Sequence, residues 1–461
     1  MDIGQVKGMG KELKKFLGNF ADCFGRYTTR ENLKIYIEGQ LSDLPRKSIE
    51  PIALAADMEP RTLQHFLSKA PWDEIRLRDH MQEMVAEEHA HPQAIGIIDD
   101  SGNPKKGQKT AAVQRQWCGN TGKIDNCVVG VHLGYVVKDF QCLLDSELYL
   151  PRAWAEDPER RKEAGIPDEA EYRKKTTIAL GQVARALDHG IRVAAWNFDE
   201  WYGRDGEFLD GLEGLQQKYL GEIPANFTGW LSLPSAGRDA SEVQNLLSYS
   251  RNFQQQEWQR FRIKDGEKGP QVWEVKAATF YRKPDQIPHT LIVARDVVSS
   301  QKVKYFLSDM VPGEAGVTLD WLLWVAFSRW PIERCFELGK RDLGMDHFEV
   351  RTWTAIHRHW YISQLSQLFC ARLRRCWGET KRPGTLYLTV EQIREAASTW
   401  VAIRMLPYSA RQILYQRVAK KISYYQRRNL QARKSHTKTT LRRLRKLGIK
   451  VSRLKSCVPS E

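Results

Sequence analysis

The chain has 461 residues, enough for two to four domains with ample hydrophobic core. Hydrophobic residues make up 42% and charged residues 28% of it, and no apolar run is long enough to cross a membrane. Eight cysteines without a Cys-x-x-Cys pair argue against a structural zinc site, and the N-terminus lacks the apolar core of a signal peptide. We therefore expect a cytoplasmic protein with reduced thiols and no membrane partner.

Residues 1–90 are predicted to be helical. A small-residue helix from Pro51 to about Ala56 is followed by a turn, and Pro60 opens a second helix that carries Arg61 and Gln64. This pattern is typical of a helix-turn-helix whose second helix enters a DNA major groove, although a plain helical hairpin fits it equally well.

Residues 91–203 change from helical to strand periodicity. Residues 94–99 form a short apolar run that ends in Asp99, and the Asp-Ser-Gly-Asn-Pro sequence at 100–104 predicts a turn. Strands predicted at 113–118 and 128–137 complete an antiparallel meander. After a charged helical stretch at 155–190, a second apolar strand ends in Asp199.

The rest of the chain is predicted to be β-rich at 204–315 and helical afterwards. Thr318 and Thr389 are placed to cap helices. We expect five parts: a helical N-terminal domain with the candidate helix-turn-helix (1–90), the first part of an α/β core (91–203), a β-rich insertion with a returning core strand (204–315), the second part of the core (316–376), and a basic helical C-terminal region (377–461).

The stretch from Arg329 to Lys340 predicts an amphipathic helix. Pro331 suits its first turn, and Ile332, Cys335 and Phe336 form an apolar stripe. Glu333 and Lys340 are two turns apart and share one face. By itself this pattern also fits a solvated ion-pair face.

Three carboxylates suggest a metal site. Asp99 and Asp199 each end a buried strand, and Glu333 lies on a helix that can pack beside them. Clustered carboxylates repel one another unless a hard cation binds, and oxygen ligands favour Mg²⁺ or Mn²⁺. Two such ions would activate water and stabilise the leaving oxygen of a phosphodiester. Each aspartate also fits a turn or cap residue.

The net charge of +15 is uneven along the sequence. From Arg411 to Lys455 there are 16 Lys or Arg residues and no Asp or Glu, with tyrosines interleaved. Such a block favours nucleic acid, with a solvated basic tail as the alternative. Its paired arginines are DNA-binding candidates: Arg427, Arg428, Arg442 and Arg443.

Other chemistries are poorly supported. The Gly-Asn-Pro-Lys-Lys-Gly-Gln-Lys-Thr stretch at 102–110 resembles a phosphate loop, but Gln108 interrupts the ending that such a loop needs. The sequence has no His-Glu-x-x-His motif and no Gly-x-Ser-x-Gly elbow, which argues against a zinc hydrolase and a serine hydrolase.

Together these features resemble the DDE transposases of bacterial insertion sequences, most closely the insertion-sequence 701 type, which is related to the insertion-sequence 4 group. The resemblance covers roughly residues 20–375. It is carried by the following stretches: Ile97-Ile98-Asp99-Asp100-Ser101-Gly102 with Lys105-Lys106-Gly107, then residues 122–127, Leu148-Tyr149-Leu150-Pro151 with Trp154, Phe198-Asp199-Glu200-Trp201-Tyr202-Gly203, and Arg329-Trp330-Pro331-Ile332-Glu333 through Lys340. The wider group has a Tyr-x2-Arg-x3-Glu-x6-Lys motif, and this chain departs from it at the first position, which is Ala326.

The resemblance implies a ribonuclease H-like α/β core, with a mixed sheet flanked by helices and a β-rich insertion before the glutamate. It implies that Asp99, Asp199 and Glu333 bind two Mg²⁺ or Mn²⁺ ions. It also implies that Arg329 and Lys340 hold the transposon end, and we add Lys105 and Lys106 as DNA-binding candidates. Asp100 and Glu200 remain alternatives to the two aspartates, since neighbouring side chains on a strand face opposite ways. Glu337, one helical turn after Glu333, remains the alternative to that glutamate.

We therefore expect a bacterial, cytoplasmic and nucleoid-associated transposase. It would bind the terminal inverted repeats in double-stranded DNA, hydrolyse the end phosphodiesters and join the 3′-OH ends to target DNA by a cut-and-paste route. Holding two ends together implies a homodimer in the synaptic complex. The alternatives are a nuclease of the same fold that cleaves without joining, a transposase-derived DNA-binding protein without catalysis, and a nuclease that acts on RNA-containing duplexes.

Overall fold

The computed structural model describes residues 1–233, 239–266, 268–284, 287–298, 302–379, 388–403 and 406–459. Its α-helices are α1 (Ile3–Gly18), α2 (Tyr27–Leu41), α3 (Ile49–Ala55), α4 (Pro60–Ser68), α5 (Glu74–His89), α6 (Arg152–Ala155), α7 (Pro158–Ala164), α8 (Lys175–Asp188), α9 (Glu200–Gly203), α10 (Gly206–Gly214), α11 (Val243–Tyr249), α12 (Arg251–Gln255), α13 (Leu319–Ala326), α14 (Trp330–Glu337), α15 (Trp353–Glu379), α16 (Val390–Ile403) and α17 (Tyr408–Lys446).

The strands are β1 (Ile95–Pro104), β2 (Gln114–Cys118), β3 (Lys123–Val137), β4 (Phe140–Leu148), β5 (Ala195–Phe198), β6 (Leu220–Ile223), β7 (Thr228–Gly229), β8 (Ser241–Glu242), β9 (Gln259–Gly266), β10 (Gly269–Tyr281), β11 (Pro288–Asp296), β12 (Val303–Ser308) and β13 (Lys455–Ser456). Short 3-10 turns lie at Ala21–Cys23 and Val451–Arg453, and a π-helical segment at Leu338–Asp342 follows α14.

The chain forms two compact units. Unit 1 consists of Met1–Ala94, Asp99–Arg192 and Pro331–Arg427. Unit 2 consists of Ile95–Ile98, Val193–Trp330 and Arg428–Glu461. Strand β1 is thus divided after Ile98, and the predicted five-part domain division stays a prediction.

The N-terminal helices of unit 1 include the expected pair α3 and α4. Residues 56–59 link them, and Pro60 is in the first turn of α4. Leu63, Phe66 and Leu67 of α4 are buried, so this helix packs by one apolar stripe. Helix α15 also packs on α4, so the predicted helix pair is present within a larger helical core, and the choice between a helix-turn-helix and a plain helical hairpin stays open.

Strand β3 organises the first sheet. The sheet order is β2-β3-β1-β5, with β4 also paired to β3. The β2–β3 hairpin closes through residues 119–122, and Gly122 has a φ of 64° there. The expected meander order is wrong, because β3 lies between β2 and β1. The segment that links β1 to β2 forms backbone hydrogen bonds with other parts of the chain. Lys105 N donates to Asn126 O (2.8 Å), and Ala111 N donates to Arg351 O (2.8 Å).

The predicted turn at residues 100–104 is also wrong, because β1 continues through Pro104. Ser101 and Asn103 are buried, and a Cβ on Gly102 would lie 2.7 Å from the Cys118 Sγ. Close packing of this segment in the sheet therefore overrides the turn preference of its residues.

Unit 2 contains a six-stranded sheet of order β13-β9-β10-β11-β12-β6. Its strands are antiparallel except for β13, which runs parallel to β9. Residues 204–315 are thus rich in strands, and the role of this block as an insertion into a core stays a prediction. Val272 of β10, Leu444 and Ile449 form a small buried cluster against which Val451 and Leu454 pack.

The predicted helix caps are confirmed. Thr318 Oγ1 accepts a hydrogen bond from Trp321 N (3.3 Å), and Thr389 and Gln392 cap each other at the start of α16. The described residues include no helix that combines the length and apolarity needed to span a bilayer.

Candidate active site and nucleic-acid interface

The two strand-end aspartates follow a parallel strand pair. Within unit 2, the first four residues of β1 pair in parallel with β5, in a register that runs from Ile95 opposite Ala195 to Ile98 opposite Phe198. Gly96 leaves room for the Trp196 indole, which a Cβ would meet at 2.1 Å. In the sequence, an aspartate follows the last paired residue of each strand: Asp99 comes after Ile98 within β1, and Asp199 comes after Phe198 at the end of β5.

Asp199 caps the one-turn helix α9. Its Oδ1 accepts hydrogen bonds from Trp201 N (3.0 Å) and Tyr202 N (3.2 Å). The residue is half-buried, whereas Glu200 is exposed and lies 3.5 Å from Arg204 in an i,i+4 ion pair. These contacts fix the orientation of the Asp199 carboxylate. Of the two neighbouring acids, Asp199 is the less exposed.

Asp100 has a cationic partner in unit 1. Its Oδ2 accepts a hydrogen bond from Lys175 Nζ at 2.7 Å, a contact from α8 that sequence reasoning missed. The Asp99 Oδ1 accepts from the Asp100 backbone N–H (2.8 Å). The Lys175 ion pair gives Asp100 a structural role, which favours Asp99 as the candidate metal ligand.

Helix α14 confirms the predicted amphipathic pattern. Ile332 and Cys335 are buried, and Phe336 contacts the His132 ring with centroids 5.0 Å apart. Because Ile332 also lies against Gly134, the apolar stripe covers β3. Glu333 is on the exposed side of this helix.

Glu337 is engaged by neighbouring cations. It pairs with Arg334 and with Arg341, whose Nη1 lies 2.7 Å from Glu337 Oε1. Arg334 pairs in addition with Glu391. This local network fixes Glu337 on the helix surface, and the assignment of Glu333 as the third acid stays a prediction.

Lys340 belongs to the π-helical segment. Its Nζ donates to the Gly102 carbonyl of β1 at 3.2 Å. Burial lowers the pKa of this ammonium, while Asp346, Asp100 and Asp99 act in the opposite direction. Lys340 is therefore held close to the end of the strand that carries Asp99. A π-turn often marks a functional position in a helix.

In unit 2, the side chain of Asn197 connects β5 with the end of α13. Its Nδ2 donates to the carbonyls of Val325 (2.5 Å) and Ala326 (3.4 Å). Arg329 lies three residues after Ala326, just before α14, and is partly buried. The residue that departs from the expected motif is thus a buried alanine whose backbone contacts the strand leading to Asp199.

The predicted DNA-binding side chains differ in exposure. Arg61 and Gln64 are exposed on α4, and Lys106 is exposed after β1. Lys105 points inward, because its Nζ donates to Phe348 O (2.9 Å) and lies 3.2 Å from the centre of the Phe348 ring. Burial lowers the pKa of Lys105 to about 8. These contacts give Lys105 a structural role, and its DNA contact stays a prediction.

The basic segment forms most of α17, which has 39 residues. All four predicted arginines are exposed on this helix: Arg427, Arg428, Arg442 and Arg443. Adjacent residues of a helix point about 100° apart, so the members of each pair face different directions.

The sequence matches the family described as DDE superfamily endonuclease over residues 19–270, more than half of the chain. The chain belongs to this family. Asp99 and Asp199 lie inside the matched region, and Glu333 lies beyond it. Membership implies a ribonuclease H-like core, with which the mixed α/β structure agrees, and places the chain among metal-dependent enzymes.

Among curated proteins, this DDE family member is similar to the "Probable transposase for insertion sequence element IS701" of Microchaete diplosiphon. The two are 33% identical over 198 residues, which is 42% of this chain and 49% of the relative. The chain thus matches about half the length of that relative. This similarity, together with the family match, confirms the resemblance to the insertion-sequence 701 type.

A solved structure, the piggyBac transposase synaptic complex with hairpin DNA, aligns with 91% of this chain and 84% of that one. The TM-score is 0.41 and the sequence identity is 11%.

Proposed function

We propose that the protein is a DNA transposase that binds the terminal inverted repeats of its element, hydrolyses the phosphodiester at each end and joins the 3′-OH ends to target DNA. The observation that carries the proposal is the parallel pairing of β1 with β5 in a DDE family member, because an aspartate follows the paired segment of each strand in the sequence. The identity to an insertion-sequence relative supports the transposase class over a nuclease without joining.

In this proposal, Asp99, Asp199 and Glu333 hold two Mg²⁺ or Mn²⁺ ions. The donor set fits such ions, because it consists of carboxylate oxygens only, and each side chain is at least partly exposed. When bound, the ions supply Lewis acidity at the phosphate and at the attacking oxygen.

The remaining residues of the candidate site orient its acids and bind DNA. The α9 N–H groups orient Asp199, and Lys340 holds the β1 strand through the Gly102 carbonyl. Arg329 at the start of α14 contacts the transposon end, and Arg61 and Gln64 on the exposed face of α4 read its sequence. Two protomers hold the two ends in a homodimeric complex.

A cleavage and strand-transfer assay tests the proposal. Purified protein is incubated with labelled terminal DNA, a supercoiled plasmid and Mg²⁺, and both cleaved ends and joined products are followed. Glu333→Gln and Asp99→Asn should each lower both products by on the order of 10³-fold or more, because each removes a ligand charge of the metal site. Chelation of the metal should have the same effect.

Two neighbouring variants serve as matched controls. Glu337→Gln removes the same charge one turn along α14, and Asp100→Asn does so one residue along β1. Both should retain the activity of the parent protein within about tenfold. Cleavage without joined product would identify a nuclease, and DNA-dependent activity that survives Asp99→Asn and Glu333→Gln would contradict the proposal.

A further inference from the structure

The C-terminal part of α17 presents a one-sided basic surface. Lys434, Lys438, Arg442 and Arg445 are all exposed and follow one another at intervals of four, four and three residues. At 100° per residue they fall within an arc of about 80°. We define these four residues as the basic face.

The opposite side of the same helix packs within unit 2. Leu444 is buried with Val272 and Ile449, and Thr440 Oγ1 donates to Lys268 O. A Cβ on Gly269 would lie 3.0 Å from the Thr437 Cα. These contacts fix the rotation of the helix about its axis, so the outward direction of the basic face is set by packing.

No acid compensates this charge locally. The segment from Arg411 to Lys455 contains no Asp or Glu, and within the described part of the chain none of the four side chains forms an ion pair. Concentrated cationic charge without counter-charge favours a polyanion. A second copy of the same face would be repelled, which argues against self-association through it.

The spacing suits a DNA strand. Residues four apart on a helix are separated by about 6 Å, and the face from Lys434 to Arg445 is about 17 Å long. Phosphates advance 3.4 Å along the axis per nucleotide of one strand, so this length spans about five of them. Lysine and arginine side chains are long enough to accommodate the difference in pitch.

We infer that the basic face binds the phosphate backbone of duplex DNA without sequence preference. It would be a second DNA-binding surface, in addition to the one proposed on α4. The inference rests on the proposed function for the identity of its partner. It also separates the predicted arginines, because Arg442 belongs to the face whereas Arg443 points about 100° away from it.

Two double variants of the full-length protein test this inference. Lys438→Gln with Arg442→Gln removes two charges from the face. Arg433→Gln with Arg443→Gln removes two arginines from exposed positions of the same helix that lie about 100° outside it. Glutamine has a helix propensity close to those of lysine and arginine, so both variants should fold, which a thermal melt followed by circular dichroism checks.

The readout is the affinity for a labelled duplex of mixed sequence, measured by fluorescence anisotropy over a range of salt concentrations. The face variant should bind at least about tenfold more weakly at low salt, and its slope of log affinity against log salt should fall by about 1.8. The control variant should keep the slope of the parent protein.

Equal slopes for the two variants would overturn the inference, as would stronger binding of a single-stranded RNA of the same length. Cleavage of terminal DNA at saturating protein provides a separate readout. If the slopes of the two variants differ as expected but the parent protein does not cleave terminal DNA, the result would contradict the proposed function and leave this inference intact. Normal cleavage with equal slopes would contradict only this inference.

Discussion

At Asp199, one carboxylate oxygen already accepts two backbone N–H groups of α9. A substitution at this position therefore affects helix capping as well as the proposed chemistry. Asparagine keeps an oxygen that can accept the same hydrogen bonds, whereas alanine removes it.

We expect Asp199→Asn and Asp199→Ala to be equally inactive in strand transfer but to differ in stability. Loss of the cap in the alanine variant should lower the free energy of unfolding by about 1 kcal/mol more than the asparagine substitution does. Urea unfolding followed by tryptophan fluorescence measures this difference. Equal stabilities would show that the cap contributes nothing.

Lys340 gives a second prediction at the residue scale. Lys340→Met removes the donor to the Gly102 carbonyl and the cation beside Asp99 and Asp100, so the free energy of unfolding should fall by about 1–3 kcal/mol. The exposed Lys106 is the matched control, and Lys106→Met should change stability by less than about 0.5 kcal/mol. If both variants have the same free energy of unfolding, Lys340 does not stabilise the position of β1.

Among the helices, α4 is held in place by a single arginine of α15. Arg358 is buried and donates to the carbonyls of Ala70 and Trp72 (both 2.9 Å), and it pairs with Glu74 at the same distance. Its guanidinium also lies 4.5 Å from the Trp72 ring. These contacts join the C-terminal end of α4 and the start of α5 to the core.

Replacing Arg358 by methionine should therefore lower the free energy of unfolding by about 2–4 kcal/mol, because the carbonyls of Leu67, Ala70 and Trp72 and the Glu74 carboxylate all lose their donor. The affinity for terminal DNA should fall more than the affinity for DNA of mixed sequence, because α4 loses its fixed orientation. Arg372→Met, which breaks the more exposed pair with Glu88, provides the comparison. Equal losses in both variants would remove the link between Arg358 and α4.

The elements also show how far sequence reasoning reaches. A strand-end acid, proline at the start of a helix and threonine caps follow local rules, so Asp199, Pro60 and Thr318 were correctly placed on their elements. Asp99 was predicted to end its strand but lies inside β1. Segments whose structure depends on distant partners were missed. Residues 100–104 have turn composition but extend β1 because Cys118 packs over Gly102. Likewise, β9 is polar in sequence and forms through its pairing with β10 and β13.

Within the candidate site, residue types were visible and their partners were not. The sequence alone does not distinguish the environments of Asp99 and Asp100. The structure distinguishes them, because Lys175, 75 residues further along the chain, forms an ion pair with Asp100. Lys105 was taken as a surface cation because Phe348, its carbonyl partner, is 243 residues away.

On the scale of the molecule, buried histidines make unit 1 sensitive to acid. Burial lowers the pKa values of His89, His132 and His359 to about 3, far below the ordinary value near 6.5. His359 is held between Tyr36 Oη (2.9 Å) and Gly344 O (3.0 Å), contacts that a neutral ring satisfies. Below pH 6.5 these histidines become protonated in the unfolded chain but stay neutral in the folded chain, so the free energy of unfolding falls as the pH falls.

Each of these histidines contributes a slope of about 1.4 kcal/mol per pH unit, and the three together contribute about 4 kcal/mol per unit below pH 6.5. Urea unfolding at several pH values between roughly 7 and 5 measures the slope. His359→Gln should reduce it by about a third, whereas His65→Gln, at an exposed position on α4, should leave it unchanged. A slope that His359→Gln does not alter would contradict the assignment.

The pairing of β13 with β9 has a genetic consequence. Residues 444–457 bury Val272 and complete an edge of the six-stranded sheet, and Cys457 N donates to Arg262 O at 3.0 Å. A stop codon that removes residues 444–457 would therefore uncover an edge strand and the apolar side chain of Val272, and such edges promote aggregation. Gene copies that carry such a stop codon should thus produce less folded protein than intact copies do.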